Sequence, residues 1–161
     1  MTLRKRSFWP SGADRVRALR QLDSPPDLLL LLRILVYAAA VPALTLTRLT
    51  SWERFAGGGR RSRTDGGSEF VEKTVAYYDA VLIAFRPVVR NGCLVRGLTL
   101  YHFLRKSGVD VSLRFGFVQV DDSFTGHCWL VKNGRPFLEP DRPDIAYTET
   151  FRLPMLRASA P

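Results

Sequence analysis

The chain has 161 residues, 46% of them hydrophobic, which suits one globular domain with an appended helical arm and excludes a mainly disordered chain. Its net charge of +9 is uneven: residues 1–66 carry twelve Lys and Arg against five Asp and Glu, and residues 67–161 twelve against ten. Two cysteines without a signal-like start argue against a disulfide framework and for a reducing cytoplasm, where a thiol stays free.

In chain order, Asp14 to Gln21 reads as a short basic helix, ended by Ser24-Pro25-Pro26. Leu28 to Leu46 is the most apolar run, with Arg33 near its start and Pro42 near its end. It falls just short of the roughly 20 uninterrupted apolar residues that span a bilayer, and its flanks are both basic. A buried or partner-docked helix is expected ahead of one lying on a membrane surface, and a true span comes last. Gly57 to Gly67 is a Gly/Arg-rich linker, dividing a basic and apolar arm (1–56) from a core (68–161).

Ser68 is placed to cap a helix over Glu69–Phe85, with Val71, Val75, Tyr78, Leu82 and Phe85 as its apolar stripe. Arg86-Pro87 ends it. Cys93 to Lys106 is again helical, stopped by Ser107-Gly108. Val111 to Val120 alternates as a strand, Asp121-Asp122-Ser123 is a turn, and Phe124 to Lys132 is a second strand. Asn133-Gly134 signals a hairpin into a third strand, Arg135 to Glu139. Helices followed by an antiparallel meander define an α+β protein.

Cys93 at a helix start, with His127 and Glu139 on following strands, is the order in which papain-like and transglutaminase-like enzymes arrange an activated thiolate. A helix N-terminus lowers a thiol pKa, because its unpaired N–H groups favour negative charge. Gly92 is expected to allow a tight entry into that helix. His102 lies nine residues along the same helix, roughly 13 Å from Cys93 along its axis, so it cannot be the base and reads as a surface residue. His127 remains. Cys128 should point to the opposite strand face and serve as a buried structural thiol. A zinc site lacks a Cys-x-x-Cys pair, and no metal or cofactor is expected.

The acid is a question of hairpin register. A two-residue Asn133-Gly134 turn puts Glu139 opposite Cys128. A three-residue loop, Lys132-Asn133-Gly134, puts it opposite His127. The second is predicted; the first would shift attention to Asp141.

Residues 91–154 carry a resemblance. Cys93-Leu94-Val95-Arg96-Gly97-Leu98-Thr99-Leu100, then His127-Cys128-Trp129-Leu130, Asn133-Gly134-Arg135-Pro136 and Glu139-Pro140 resemble the stand-alone transglutaminase-like peptidases of lasso-peptide biosynthesis. The resemblance implies a papain-like core with the cysteine helix packed on a small antiparallel sheet, and a triad of Cys93 as nucleophile, His127 as base and Glu139 as orienting acid. Cys128 stands where the family usually has alanine, and Gly97 where a serine is common. The implied activity is removal of the leader from a ribosomally made precursor through an acyl-enzyme. The implied partners are the precursor leader peptide, a separate leader-recognition protein and an ATP-dependent lasso cyclase, with Leu28–Leu46 as a docking surface for a partner or the inner face of the cell membrane. Two rivals stand beside it: a non-catalytic basic module on membrane or nucleic acid, and a transglutaminase-like acyltransferase. The basic run lacks interleaved aromatics, so a nucleic-acid partner is not expected.

Overall fold

The structure, a computed structural model, describes residues 25–44, 67–85, 92–120, 123–139 and 147–154. The helix expected at 14–21, the linker before Gly67, Arg86-Pro87, Asp121-Asp122 and Asp141 lie outside them. Three helices, α1 (Pro25–Leu44), α2 (Ser68–Ala84) and α3 (Cys93–Lys106), lead into four strands: β1 (Ser112–Val120), β2 (Ser123–Lys132), β3 (Arg135–Phe137) and β4 (Thr148–Leu153). The strands form one sheet in the order β3-β2-β1-β4, antiparallel throughout. This is the α+β order of helices followed by an antiparallel sheet that the sequence predicts.

α3 occupies the centre, with eight of its fourteen residues buried between Val95 and Leu104. Leu98, Leu100 and Leu104 are fully buried, with the sheet against one side of the helix and α1 and α2 against the others. It ends where expected: Ser107 Oγ donates to Leu104 O at 2.8 Å, and Gly108 takes φ 95°, a left-handed value that glycine adopts without steric cost. At the other end Gly92 has φ −150°, extended backbone open to any residue. The entry to α3 therefore does not depend on glycine, contrary to expectation.

α2 departs from expectation at both ends. Gly67, not Ser68, is its N-cap, and no side chain bonds the first turn. Instead Lys73 pairs with Glu69 at 3.2 Å and reaches Asp27 of α1 at 3.9 Å. Val71, Tyr78 and Leu82 are buried as predicted, but Phe85 sits past the last helical residue and is exposed. Tyr77, Val81 and Thr74 fill the interior instead.

α1 is two-sided. Ile34, Ala38 and Val41 are fully buried in the same core as α2 and α3. Leu28, Leu32 and Val36, spaced by four, stand 62%, 54% and 61% exposed on the outside. By length and composition Pro25–Ala43 is long enough to cross a membrane. Its inner face also packs on α2 and α3. Tyr37 stacks on His102 at 4.3 Å between ring centroids, so His102 is half-buried at the α1–α3 contact rather than on the surface.

Pairing of Phe115 with Cys128 and of Leu113 with Leu130 gives the sheet face that meets α3. Alternation sends His127 and Trp129 to the other face, where Tyr147 lies 5.1 Å from the His127 ring. β3 pairs only with Leu130–Lys132, so Ser123–Trp129 of β2, paired with β1 on one side, has no strand along its other edge among the described residues.

Candidate active site

Cys93 opens α3 against this outer edge of β2. Its sulfur meets three groups there: the His127 side chain, the Cys128 thiol and the Cys128 backbone N–H. Consecutive strand residues point to opposite faces, so a sulfur that touches both lies at the strand edge. That geometry corrects the expectation that Cys128 faces away from the nucleophile. Its thiol fits into space that Gly97 leaves open: a Cβ at Gly97 would stand 3.0 Å from Cys128 Sγ and 2.9 Å from Leu113 Cδ1.

These contacts set the charge states. Hydrogen bonds from the Cys128 thiol first and His127 second hold the Cys93 thiol down at about 4, against the opposing effect of burial; the Cys128 N–H adds to them. Contact with Cys93, and then with Glu139, raises His127 to about 9. Between those values the pair is a thiolate and an imidazolium. Cys128 moves the other way. The neighbouring Cys93 sulfur and burial push its thiol well above the usual range, so it stays protonated and donates.

Glu139 reaches His127 by an unexpected route. Asn133 (φ 51°) and Gly134 (φ 75°) form a two-residue turn, and Lys132 pairs with Arg135. The predicted three-residue loop does not form. Regular continuation would have carried Glu139 opposite Cys128, but β3 stops at Phe137 and Leu138 takes φ 58°. That single left-handed residue redirects the chain. Glu139 Oε2 then stands 3.6 Å from His127 Nε2, an ion-pair distance longer than a hydrogen bond.

Arg96 completes the group and was not singled out from sequence. Its Nη1 donates to Glu139 Oε1 at 3.2 Å, and its Nη2 donates to Leu138 O at 2.7 Å. The signal was its position three residues after Cys93, which places both on one side of the first turn of α3. Both members of the Arg96–Glu139 pair are nearly buried, at 12% and 10% exposure. Thiolate, imidazolium, carboxylate and guanidinium thus alternate in sign, and no charge is left uncompensated. Behind them the buried Tyr78 hydroxyl has no hydrogen-bond partner among the described residues and lies near Arg96 and both cysteines.

Among the described residues no cluster of His, Cys, Asp and Glu is arranged to hold a metal ion. The cavity of about 330 Å³ lined by Arg105, Arg114 and Arg152 shares no residue with this site. A family model described as the transglutaminase-like superfamily matches residues 30–152, from within α1 to within β4. Searches of curated proteins and of solved structures gave no match.

Proposed function

The chain belongs to the transglutaminase-like superfamily, whose fold serves cysteine peptidases and acyltransferases, and we propose that it is a cysteine endopeptidase removing the leader from a lasso-type precursor peptide. The observation that carries this reading is the contact series Cys93–His127–Glu139, with the thiol already ionised by its surroundings. The thiolate attacks the scissile carbonyl carbon. Arg96 N–H is the first to pair within α3, with Gly92 O at 3.1 Å, so the N–H groups of Cys93, Leu94 and Val95 precede that ladder and are available to hold the oxyanion. His127 gives its proton to the leaving amine, and the acyl group stays on Cys93. Neutral His127 then takes a proton from water, the hydroxide attacks the thioester, and the thiolate leaves.

The substrate class rests on the resemblance of Cys93–Leu100, His127–Leu130 and Glu139-Pro140 to lasso leader peptidases. On that reading a separate leader-recognition protein delivers the precursor, and an ATP-dependent cyclase closes the ring afterwards. The exposed Leu28, Leu32 and Val36 of α1 offer an apolar docking face for such a partner.

The test is incubation of the purified protein with precursor and leader-recognition protein, read by mass spectrometry. Leader release lost in Cys93→Ala and in His127→Ala supports the proposal; undiminished release by Cys93→Ala ends it. Transfer of the acyl group to an added amine in preference to water would identify an acyltransferase instead.

A further inference from the structure

Cys128 does no chemistry in peptide cleavage through its side chain, yet that side chain touches the nucleophile. Cys128 lies beside the half-buried Cys93 at the start of α3, and each thiol acts on the other's proton. Cys128 Sγ is also held in place from behind, because it occupies the space beside Gly97, one helical turn after Cys93. Their accessibility differs. Cys93 is half-buried at the strand edge, within reach of a small oxidant, whereas Cys128 is 3% exposed and shielded. A reactive, reachable thiolate beside a second thiol is the arrangement of an oxidation-sensitive cysteine with its resolving partner.

We propose that Cys93 and Cys128 form a reversible intramolecular disulfide when the protein meets a hydroperoxide, with Cys93 oxidised first and Cys128 as the resolving thiol. The Cys93 thiolate attacks one peroxide oxygen, the O–O bond breaks, and hydroxide or alkoxide leaves, giving a sulfenic acid. Cys128 gives its proton to that departing base, and its sulfur attacks the Cys93 sulfur. The S–O bond breaks, the S–S bond forms, and hydroxide leaves to be protonated as water. Two electrons pass from the thiols to the peroxide, and a small dithiol returns both sulfurs. Contact between the sulfurs makes the second step unimolecular, so it outruns further oxidation of the sulfenic acid. The disulfide removes the nucleophile from use while sparing it irreversible damage.

The experiment treats the full chain with a few equivalents of hydrogen peroxide and reads the products by mass spectrometry under non-reducing conditions. The expected product is a cross-linked peptide containing Cys93 and Cys128, two hydrogens lighter than the reduced pair and restored by dithiothreitol. In Cys128→Ala and Cys128→Ser, Cys93 should accumulate as sulfinic acid about tenfold more than in wild type, beyond rescue by dithiothreitol. Circular dichroism verifies that each variant is folded, and the wild-type product decides the matter alone if neither is. Absence of the cross-link in wild type, or equal sulfinic acid in wild type and folded variants, overturns the proposal. None of these readouts depends on peptide cleavage, so they stand or fall apart from the peptidase reading.

Discussion

Arg96 and Glu139, forty-three residues apart, meet at 3.2 Å beside the catalytic histidine candidate, and the same guanidinium holds Leu138 O at 2.7 Å. One side chain thus fixes both the carboxylate and the left-handed residue that delivers it. Arg96→Met should cost roughly 3 kcal/mol, because it leaves a nearly buried carboxylate with one cationic neighbour instead of two. Arg96→Lys should recover little, since an ammonium cannot span both acceptors with a planar fork. Denaturant unfolding of each, in a cycle with Glu139→Gln, measures the coupling; full additivity would disprove it.

The cleavage rate should follow a bell-shaped pH dependence. kcat/KM rises as Cys93 ionises near pH 4 and falls as His127 loses its proton near pH 9. Glu139 favours the charged imidazolium, so Glu139→Gln should move the alkaline limb down, toward the ordinary histidine value. Cys128→Ala removes the largest stabilising contact of the thiolate and should move the acid limb up. Ultraviolet titration of the thiolate checks the acid limb without substrate.

Gly97 and Cys128 share one small volume, and substitutions there should couple with a definite sign. Alanine at 97 gains about 1 kcal/mol of helix propensity. Against this, its Cβ would lie 3.0 Å from Cys128 Sγ and 2.9 Å from buried Leu113, an overpacking cost of roughly 1–3 kcal/mol. Gly97→Ala should therefore be destabilising alone, and less destabilising when added to Cys128→Ala, where only the Leu113 contact remains. Thermal melts of the four proteins decide it; the same effect of Gly97→Ala in both backgrounds would refute shared packing.

The two faces of α1 should behave differently. Ile34→Ala, at a fully buried position, should cost roughly 2–4 kcal/mol. Leu28→Gln with Leu32→Gln, at exposed positions, should change stability by no more than about 0.5 kcal/mol per site. If the outer face docks the leader-recognition protein, the exposed pair should weaken processing of delivered precursor while leaving cleavage of a short leader-free peptide intact. Equal loss on both substrates would argue against docking.

Much of this was legible in the sequence, and the misses share a physical cause. The bounds of α3 follow from its apolar pattern and its Ser-Gly stop, so Cys93 was correctly placed at a helix start. His127 was reached by eliminating His102, although the assumed exposure of His102 failed because α1 folds back to stack Tyr37 on it. The route of Glu139 was illegible because leucine is an unusual residue at positive φ, and nothing at Leu138 announces a turn. Cys128 is buried on the face opposite His127, as alternation predicts, but alternation says nothing of its contact with Cys93, which approaches the strand at its edge. Arg96 went unremarked because its role exists only once the hairpin has turned.

The two-residue turn and the short β3 behind it make the segment from Asn133 to Glu139 a ruler. Lys132–Arg135 pairing sets its zero, three paired residues measure its length, and Leu138 bends its tip toward the imidazole. Such a device tolerates exchange of side chains far better than a change in their number. Evolution can repaint Arg135 or Pro136 at modest cost, but one residue gained or lost there would displace the carboxylate from its station. The spacing of this short hairpin, more than its composition, is therefore the trait by which descent within such enzymes should be traced.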